Sequence, residues 1–297
     1  MKISIIGAGK WGEALYHAYS SNPNNDVVIT SRNFKDIENF VSLDEALKRE
    51  FLIIAIPAQF IREWLNNNFI DFNQNILVAS KGIETTTGAF LNDIYSKFIS
   101  EKRLAFISGP SFASEVKLSL PTALIISSTN QKLAQTYANG LPKFIKGYIS
   151  DDVIGAEVAG AYKNVIAIAG GLCDGLNLGN NARAAIISRG LVEMSRFGEY
   201  FGAKLETFLS LGGAGDLFLT ASSKLSRNYR VGVGLAEKKS LDRILEELGE
   251  VAEGVGTARA LDKIAQAKNI YLPIAREIYL MLDCGKNPQE SVDDLLS

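Results

Sequence analysis

A chain of 297 residues has room for two domains and a sizeable hydrophobic core. Its 31 basic and 33 acidic residues give a net charge of −2, so no overall basic field favours a nucleic-acid partner. The two cysteines, Cys173 and Cys284, are far apart in the sequence and suggest neither a disulfide framework nor a thiolate metal site. Because His17 is the only histidine, a catalytic histidine or a zinc site is nearly excluded. We therefore expect a cytoplasmic protein with no metal.

No apolar run in the sequence reaches the roughly 18 residues that a membrane span requires. The segment Met1–Gly7 becomes glycine-rich too soon for a secretory signal. We therefore expect no membrane-spanning segment.

The first half of the chain alternates short apolar runs with amphipathic ones, which indicates alternating strands and helices. The apolar runs are nearly continuous in isoleucine, valine and leucine, as in strands that are buried on both faces of a largely parallel sheet. The predicted strands are Lys2–Ile6, Asp26–Thr30, Phe51–Ile56, Asn75–Ser80, Arg103–Ser108, Thr122–Ser127 and Phe144–Ser150. The predicted helices are Trp11–Ser21, Glu45–Glu50 with Ser42 as its N-cap, Phe60–Asn67, Gly88–Phe98 and Gln131–Asn139. Residues 1–150 are therefore predicted to form a dinucleotide-binding α/β domain with a Rossmann-type doubly wound sheet.

After about residue 150 the strand pattern stops and helical periodicity dominates. The predicted helices are Asp152–Gly171, Asn181–Phe201, Asp216–Leu225, Tyr229–Ala236, Leu241–Leu248, Gly256–Ala267, Pro273–Leu282 and Glu290–Leu296. Residues 151–297 are therefore predicted to form an all-α C-terminal domain.

A glycine-rich segment, Gly7-Ala-Gly-Lys-Trp-Gly12, follows the first predicted strand and opens the first predicted helix. In such a loop Gly7 makes the tight turn and Gly9 lets a phosphate approach the backbone. Gly12 permits close packing of the helix on the sheet. The spacing alone is a weak signal, because glycine-rich turns also serve packing. The strand before it and the helix after it make it a strong prediction of a dinucleotide site.

The residues after the second predicted strand bear on the choice of cofactor. An acidic residue is expected there to bind the adenosine ribose, but the sequence is Thr30-Ser31-Arg32-Asn33. Arg32 could bind the 2′-phosphate of NADP or stack on adenine, or it could be a solvated loop arginine. We expect NADP to be tolerated.

Small and polar residues also follow the fourth and fifth predicted strands. Lys81 follows the fourth strand, and Ser108-Gly-Pro-Ser-Phe-Ala113 closes the fifth. The carboxyl ends of strands face the ligand crevice in an open α/β sheet, so Lys81 and the amides around Gly109–Ser111 are candidates for a second anion or carbonyl site. Taken alone, Lys81 is more often an exposed loop lysine.

Lys163 lies within Val158–Ala169, a segment in which its one close polar companion is Asn164. Burying an ammonium is costly unless another group pairs with it or uses it. A lysine whose stem lies on apolar surface while its head reaches water is the ordinary explanation for a single case. The other motifs favour a catalytic role.

The helical half carries two further polar motifs. Asp216 follows a glycine-rich turn and shares one helical face with Thr220, although it could be only an N-cap. Ser226-Arg227-Asn228 combines a fork of donors with an amide, which suits a phosphate, although Arg227 could be a surface charge.

The order of these motifs resembles that of bacterial NAD(P)-dependent glycerol-3-phosphate dehydrogenase over essentially the whole chain. The motifs are Gly7–Gly12, Ser80–Glu84, Ser108–Ala113, Lys163-Asn164, Gly212–Asp216, Ser226–Asn228 and Val251–Gly254, and the segments Asn180–Leu191 and Cys284–Asn287 add to the match. The resemblance implies reversible reduction of dihydroxyacetone phosphate to sn-glycerol 3-phosphate with NAD(P)H, for glycerophospholipid synthesis. It implies NAD and NADP as cofactors, with the preference left open.

The same resemblance implies roles for individual residues. Lys163 matches the general acid/base, which Asp216 and Asn164 would orient. The residues that match substrate contacts are Lys81, Gly109, Ser111, Lys163, Asp216, Ser226, Arg227 and Asn228. The residues that match cofactor contacts are Trp11, Arg32, Lys81, Ala113, Arg227, Val251 and Glu253, in addition to Gly7, Gly9, Lys10 and Gly12 of the glycine-rich loop.

Two features depart from the pattern of that family. Lys10 stands where a small residue is usual, and the stretch Asn33–Leu52 is short and lacks a proline-containing loop. Both bear on the cofactor preference and leave the chemistry unchanged.

Two other functions remain open at this point, and so does assembly as a homodimer. A related dehydrogenase that acts on a β-hydroxy acid or a sugar acid would need a carboxylate-binding site and would not require a phosphate on its substrate. A redox-sensing protein would bind NAD(P)H without turnover, and Lys163 would then have no explanation.

Overall fold

The structure is a computed structural model that describes residues 1–296. It divides into two compact units. Unit 1 comprises Met1–Ser80 and Leu91–Ala156, and unit 2 comprises Lys81–Phe90 and the chain from Glu157 onward. The predicted boundary at residues 150 and 151 differs from this division in two respects. The units separate six residues later, and the segment Lys81–Phe90 leaves the first unit and packs with the second.

Unit 1 contains a seven-stranded sheet in the order β2-β1-β3-β4-β5-β6-β7. The strands are β1 (Lys2–Ile6), β2 (Asp26–Thr30), β3 (Phe51–Ile54), β4 (Asn75–Val78), β5 (Leu104–Ser108), β6 (Thr122–Ser127) and β7 (Ile145–Ser150). All neighbouring strands are parallel except β5 and β6, which are antiparallel. The predicted Rossmann-type doubly wound fold is therefore confirmed.

The strand order places a topological switch point beside β1, because β2 lies on one side of it and β3 on the other. The register pairs Ile6 with both Thr30 and Ile54, so these three strands end at the same level of the sheet. In open sheets of this kind ligands bind outside the carboxyl ends of the strands at such a point. The loops that follow β1, β2 and β3 therefore define the expected ligand edge of unit 1.

Apolar residues of the strands form the core of unit 1. Ile3, Ile5, Ile29, Ile53 and Leu77 have no exposed surface. Each such side chain contributes roughly 1.5–3 kcal/mol when it leaves water. The nearly continuous apolar character of the strands follows from this burial on both faces.

Six helices accompany the sheet: α1 (Lys10–Ser20), α2 (Leu43–Ala46), α3 (Ile61–Asn68), α4 (Leu91–Tyr95), α5 (Ala113–Lys117) and α6 (Gln131–Asn139). Ser42 caps α2 as predicted, since its Oγ accepts a hydrogen bond from the Glu45 amide at 3.3 Å. Two predictions were too long. The helix predicted at Glu45–Glu50 is the single turn α2. The helix predicted at Gly88–Phe98 starts later, because Gly88 has φ +74° and belongs to the segment that packs with unit 2.

Unit 2 is helical, as predicted. Its helices are α7 (Val153–Gly175), of which the first residues belong to unit 1, α8 (Gly179–Tyr200), α9 (Leu205–Leu209), α10 (Asp216–Ala221), α11 (Arg227–Ala236), α12 (Leu241–Leu248), α13 (Glu253–Lys268), α14 (Pro273–Asp283) and α15 (Pro288–Leu296). The short helix α9 and a π-helical turn at Leu211–Gly215 were not predicted. Both are too short to show a periodic pattern, and the π-helical turn consists mostly of glycine.

The long helix α7 requires a correction to the prediction about membrane segments. By length and mean hydropathy it could cross a membrane, whereas the sequence was judged to contain no such run. However, 94% of its most apolar 18-residue stretch is buried inside the protein. That burial is typical of a central core helix.

Glycines allow α11 to lie directly against α7. A Cβ atom at Gly232 would collide with the Ile168 carbonyl oxygen, and one at Gly171 would collide with the Tyr229 carbonyl oxygen. The two helix backbones therefore approach as closely as bare glycine permits. This contact fixes the position of the N-terminus of α11 relative to the middle of α7, where Lys163 lies.

Candidate active site

Lys163 lies on α7 and is almost completely buried, with 7% of its surface exposed. Its Nζ donates hydrogen bonds to Asp216 Oδ1 at 2.5 Å and to Thr220 Oγ1 at 3.1 Å. The lysine is therefore held by two side chains of α10 and does not extend its head to bulk water. This excludes the ordinary explanation of a lysine that only rests its stem on apolar surface.

Asp216 receives a second ammonium group on its other oxygen. Lys81 Nζ donates to Asp216 Oδ2 at 2.9 Å. Asp216 is the first residue of α10, directly after the π-helical turn, and only 2% of it is exposed. π-Helical turns are frequent at functional sites, and this one turns the carboxylate inward. One buried carboxylate thus bridges two lysines.

This arrangement shifts the pKa values of both partners. The pKa of Lys163 is lowered from 10.5 to about 8, chiefly by burial; Asp216 opposes this lowering, and the charge of Lys81 adds to it. Burial alone would raise the pKa of Asp216, but the two ammonium groups outweigh it and hold that pKa below its usual value. Asp216 is therefore an anion at neutral pH. Lys163 is mostly protonated, yet it can lose a proton near neutrality.

The segment Lys81–Phe90 is fastened to unit 2 by hydrogen bonds on α13. Thr85 Oγ1 donates to the Gly256 carbonyl oxygen at 3.2 Å, and Lys263 Nζ donates to the Thr86 carbonyl oxygen at 2.7 Å. The stem of Lys81 lies along Gly160 of α7, with carbons 3.5–3.8 Å from where a Cβ would be. Lys81 is thereby directed to Asp216.

The N-terminus of α11 forms a second polar cluster. Ser226 is the N-cap, and its Oγ accepts a hydrogen bond from the Tyr229 amide at 3.2 Å. The next residue, Arg227, has a side chain that is 41% exposed. The first amides of a helix have no partner within it and carry a partial positive charge, which favours an anion here.

Asn228 joins this cluster to the helix that carries Lys163. Its Oδ1 accepts a hydrogen bond from the Gly254 amide at 2.9 Å, at the start of α13. A Cβ at Gly254 would lie 2.7 Å from the Asn164 carbonyl oxygen and 2.8 Å from Asn228 Oδ1. The residue after Lys163 and the phosphate-type motif therefore meet at Gly254.

The glycine-rich loop of unit 1 has the geometry of a pyrophosphate site. Gly7 has φ +106°, and a Cβ there would lie 2.7 Å from the Ala55 carbonyl oxygen. A Cβ at Gly12 would collide with the Gly7 carbonyl oxygen, whereas one at Gly9 would meet nothing within 4 Å. Gly7 and Gly12 are thus required by packing. Gly9 leaves open space at the start of α1, where a phosphate would lie.

Two side chains flank this loop at the N-terminus of α1. Lys10 is exposed. The indole Nε1 of Trp11 is buried and has no hydrogen-bond partner among the described residues. A buried donor without a partner is rare, which makes this one a candidate for an acceptor on a ligand. The residues present therefore fit a dinucleotide.

The end of β2 has no carboxylate in Thr30–Asn33, as the sequence indicated. Arg32 is exposed, and Ser31 Oγ donates to the Asn33 carbonyl oxygen at 2.7 Å. None of these four residues has a carboxylate that would repel the 2′-phosphate of NADP.

The turn after β5 requires glycine at position 109. Gly109 has φ +117°, and a Cβ there would lie 3.0 Å from the Ala123 carbonyl oxygen. Ser111 Oγ donates to the Gly109 carbonyl oxygen at 3.1 Å, and Ala113 begins α5. These residues lie at the carboxyl edge of the sheet, as predicted.

The predicted site residues are divided between the two units. The group in unit 1 comprises Gly7, Gly9, Lys10, Trp11, Gly12, Arg32, Gly109, Ser111 and Ala113. The group in unit 2 comprises Lys81, Lys163, Asp216, Ser226, Arg227, Asn228, Val251 and Glu253. Within residues 1–296 no group of three histidine, cysteine or carboxylate side chains could hold a metal ion.

Two details of the site were not foreseen from the sequence. Asn164 was expected to help orient Lys163, but its Nδ2 donates to the Gly160 carbonyl oxygen of the same helix at 3.3 Å. The second detail is Glu250, whose Oε2 lies 3.4 Å from Arg227 Nη1. An acidic residue one position before the Val251–Gly254 motif was the available signal.

A doubly wound sheet with an open glycine-rich loop, followed by a helical unit with a buried Lys–Asp pair, defines a dinucleotide-dependent dehydrogenase. Two family descriptions match the chain. Residues 35–134 match the N-terminus of NAD-dependent glycerol-3-phosphate dehydrogenase, and residues 152–293 match its C-terminus. The chain belongs to the family of NAD-dependent glycerol-3-phosphate dehydrogenases.

Full-length relatives agree with this assignment. Glycerol-3-phosphate dehydrogenase [NAD(P)+] of Nitratiruptor sp. is 59% identical over 296 residues, which cover 100% of this chain and 98% of that protein. The protein of the same name from Campylobacter lari is 59% identical over 297 residues, again covering 100% and 98%. The chain is thus an NAD(P)-dependent oxidoreductase of this type.

Solved structures show the same architecture. The glycerol-3-phosphate dehydrogenase of Coxiella burnetii superposes with a TM-score of 0.91 at 31% identity, covering 100% of this chain and 98% of that one. A D-mandelate dehydrogenase superposes with a TM-score of 0.60 at 13% identity, covering 99% of each chain. The latter likeness concerns the fold alone.

Proposed function

We propose that this chain reduces dihydroxyacetone phosphate reversibly to sn-glycerol 3-phosphate, with Lys163 as the general acid and base. The observation that carries the proposal is the buried Lys163–Asp216 pair. The residue after Lys163, Asn164, and Asn228 of the Arg227–Asn228 motif both lie against Gly254. The chemistry needs a proton donor for the carbonyl oxygen and a site for the phosphate. This part of unit 2 offers both.

Unit 1 would hold the cofactor, and unit 2 would hold the substrate and the catalytic lysine. Bound NAD(P)H supplies the hydride. The candidates for its pyrophosphate are the backbone at Gly9 and the indole of Trp11, and the candidate for its adenosine end is Arg32. The resemblance adds Lys10, Ala113, Val251 and Glu253 as cofactor contacts. Val251 is 49% exposed, and Glu253 is the first residue of α13.

Lys163 would donate its proton to the substrate oxygen that gains negative charge as the carbonyl is reduced. A pKa of about 8 is close to the value at which a group both donates and recovers a proton efficiently near neutral pH. Before the transfer, the ammonium also stabilises the developing oxyanion. Asp216 and Thr220 fix the direction of the Nζ group, and Asp216 keeps it protonated at rest.

Arg227, Asn228 and Ser226 would bind the substrate phosphate. The Arg227 guanidinium supplies a fork of donors, and the adjoining amides of α11 supply further donors together with the helix dipole. Gly109 and Ser111 at the edge of the sheet are the remaining candidates for substrate contacts. Binding energy from the phosphate would hold the carbonyl carbon in position for reaction.

The proposal extends to the setting of the reaction. The product would feed glycerophospholipid synthesis, and the enzyme would act in the cytoplasm, alone or as a homodimer. The burial of α7 in the core and the balanced net charge support a protein that needs no membrane. Fractionation of cells and sedimentation of the purified protein would test location and assembly.

The decisive experiment measures oxidation of NADH and of NADPH with dihydroxyacetone phosphate and with unphosphorylated dihydroxyacetone. We expect a strong preference for the phosphorylated ketone, because the N-terminus of α11 offers an anion site. Equal activity toward both ketones would remove the phosphate site from the proposal. Binding of NAD(P)H without turnover of either ketone would mean a redox sensor instead.

Lys163→Ala tests the catalytic role directly. We expect the variant to fold and bind NAD(P)H but to lose roughly 10²–10⁴-fold or more in kcat, since it lacks both the acid and the oxyanion stabiliser. Lys268→Ala, an exposed lysine near the end of α13, is the control and should retain full activity. Retention of a tenth of the wild-type turnover in Lys163→Ala would exclude Lys163 from the chemistry.

A further inference from the structure

Arg227 is paired with a carboxylate of the protein itself, that of Glu250. Arg227 Nη1 lies 3.4 Å from Glu250 Oε2, and the two side chains are 41% and 27% exposed. The same guanidinium is the main candidate for binding the substrate phosphate. A carboxylate of the protein therefore lies where an anionic ligand is expected.

The position of Glu250 is fixed by the chain on both sides of it. Gly249 ends α12 in the left-handed conformation, with φ +62°. Four residues after Glu250, the Gly254 amide is held by Asn228 Oδ1 at 2.9 Å. The short connection from α12 to α13 is therefore anchored at the N-terminus of α11, and the Glu250 carboxylate remains within reach of Arg227.

The contact is weaker than the one a phosphate would make. A strong pair between arginine and an anion has N–O distances of about 2.7–2.9 Å and uses two parallel hydrogen bonds. The hydrogen bond from Arg227 Nη1 to Glu250 Oε2 is 3.4 Å long and joins partly exposed groups, which water screens. A dianionic phosphate, supported by the amides of α11, would therefore displace the carboxylate.

We propose that Glu250 is an internal competitor for the phosphate site, bound to Arg227 in the free enzyme and exchanged for the phosphate of the substrate. The inference rests on the proposed function, because it takes Arg227 as the phosphate-binding residue. The exchange lowers the apparent affinity of the Arg227 site for any ligand whose phosphate binds there. It also keeps Arg227 from being left without an anion when the site is empty.

The test compares Glu250→Gln with Glu246→Gln, which removes the same charge from an exposed position on α12. Binding of inorganic phosphate to the cofactor-free protein is measured by calorimetry, and KM for dihydroxyacetone phosphate by NADH oxidation. We expect Glu250→Gln to bind phosphate roughly two- to fivefold more tightly and to lower KM by the same factor, as for an exposed charge pair. Glu246→Gln should change neither quantity.

Two further measurements separate competition from a merely structural effect. The gain in phosphate affinity should disappear when Glu250→Gln is combined with Arg227→Ala, because the competitor then has nothing to block. The kcat/KM for unphosphorylated dihydroxyacetone should be unchanged in Glu250→Gln. Weaker or unchanged phosphate binding in Glu250→Gln would overturn the proposal. A wild-type protein that binds phosphate but never reduces dihydroxyacetone phosphate would contradict the proposed function instead.

Discussion

At the scale of single residues, the charge balance around Asp216 sets the protonation of Lys163. Two ammonium groups share one buried carboxylate, so each lysine raises the cost of protonating the other. Burial and Lys81 bring the pKa of Lys163 down to about 8, and Asp216 keeps it from falling further. The catalytic state of the site therefore depends on pH within the physiological range.

The pH dependence of the two reaction directions should be opposite. Reduction needs protonated Lys163, so kcat/KM for dihydroxyacetone phosphate should fall as pH rises through about 8. Oxidation of glycerol 3-phosphate needs the neutral amine, so its kcat/KM should rise over the same interval. Initial rates between pH 6 and 10 measure both profiles, with protein stability checked at each pH. Parallel profiles in the two directions would show that another group titrates.

Arg32 is the residue that bears on the choice of cofactor. With no carboxylate in Thr30–Asn33, we expect both NADH and NADPH to be used. Arg32→Ala should weaken NADPH more than NADH, by about 1 kcal/mol, the upper end for an exposed charge pair. KM values for both cofactors in the wild type and the variant measure this. Equal losses for the two cofactors would mean that Arg32 stacks on adenine and does not contact the 2′-phosphate.

Some residues of the site were predictable from the sequence and others were not. Lys163 was evident because an ammonium in an apolar helix needs an explanation. Asp216 and Thr220 were evident because they are four residues apart on one helix face. The contact of Lys81 with Asp216 joins positions 135 residues apart, and no local pattern encodes such a pair.

At the scale of elements, the glycine-rich loop was fully predictable, because the turn, the phosphate approach and the helix packing each need a glycine at a fixed position in the sequence. A strand, a tight turn and a helix that packs on the sheet follow in a fixed order. The π-helical turn before Asp216 and the short helix α9 were not predictable, since neither is long enough for a repeating pattern. The antiparallel pairing of β5 and β6 likewise leaves no trace in the composition of the strands.

Alanine substitutions at Gly9 and at Gly12 of this loop should have different effects on cofactor binding and on stability. Gly9→Ala meets no atom within 4 Å, so we expect unchanged stability and weaker binding of NAD(P)H, because the new methyl group occupies the phosphate space. Gly12→Ala collides with the Gly7 carbonyl oxygen, so we expect a loss of roughly 1–3 kcal/mol in the free energy of unfolding. Urea unfolding and titration with NADH measure the two effects. A Gly9→Ala variant with wild-type cofactor affinity would exclude the proposed pyrophosphate position.

At the scale of the whole molecule, the sequence indicated both fold types but not the path of the chain between them. The segment Lys81–Phe90 follows the fourth strand of unit 1 and yet packs with unit 2. The hydrogen bonds that fasten it join residues 171 and 177 positions apart. A domain boundary inferred from a change in periodicity is one point in the sequence. It cannot show that a segment before that point packs with the second unit.

A lysine that is buried and protonated, as Lys163 is, should cost the whole molecule stability at neutral pH. The unfolded chain holds this proton up to pH 10.5, but the folded protein releases it near pH 8. Between these values the unfolded state binds more protons, so the contribution of Lys163 to stability rises with pH across this interval. At pH 7 the folded state carries the full penalty, which is roughly 3 kcal/mol at 1.36 kcal/mol per unit of pKa.

Lys163→Met removes this penalty and fills the same space with an apolar chain. We therefore expect the inactive variant to have a higher Tm than the wild type at pH 7, because Asp216 keeps Lys81 as its partner. The difference should shrink as pH rises from 8 to 10.5, where the wild type also buries a neutral amine. Thermal unfolding at several pH values measures this, with the exposed Lys268→Met as the control. A variant that is less stable than the wild type at pH 7 would mean that the attraction of Asp216 for Lys163 exceeds the cost of burying the charge.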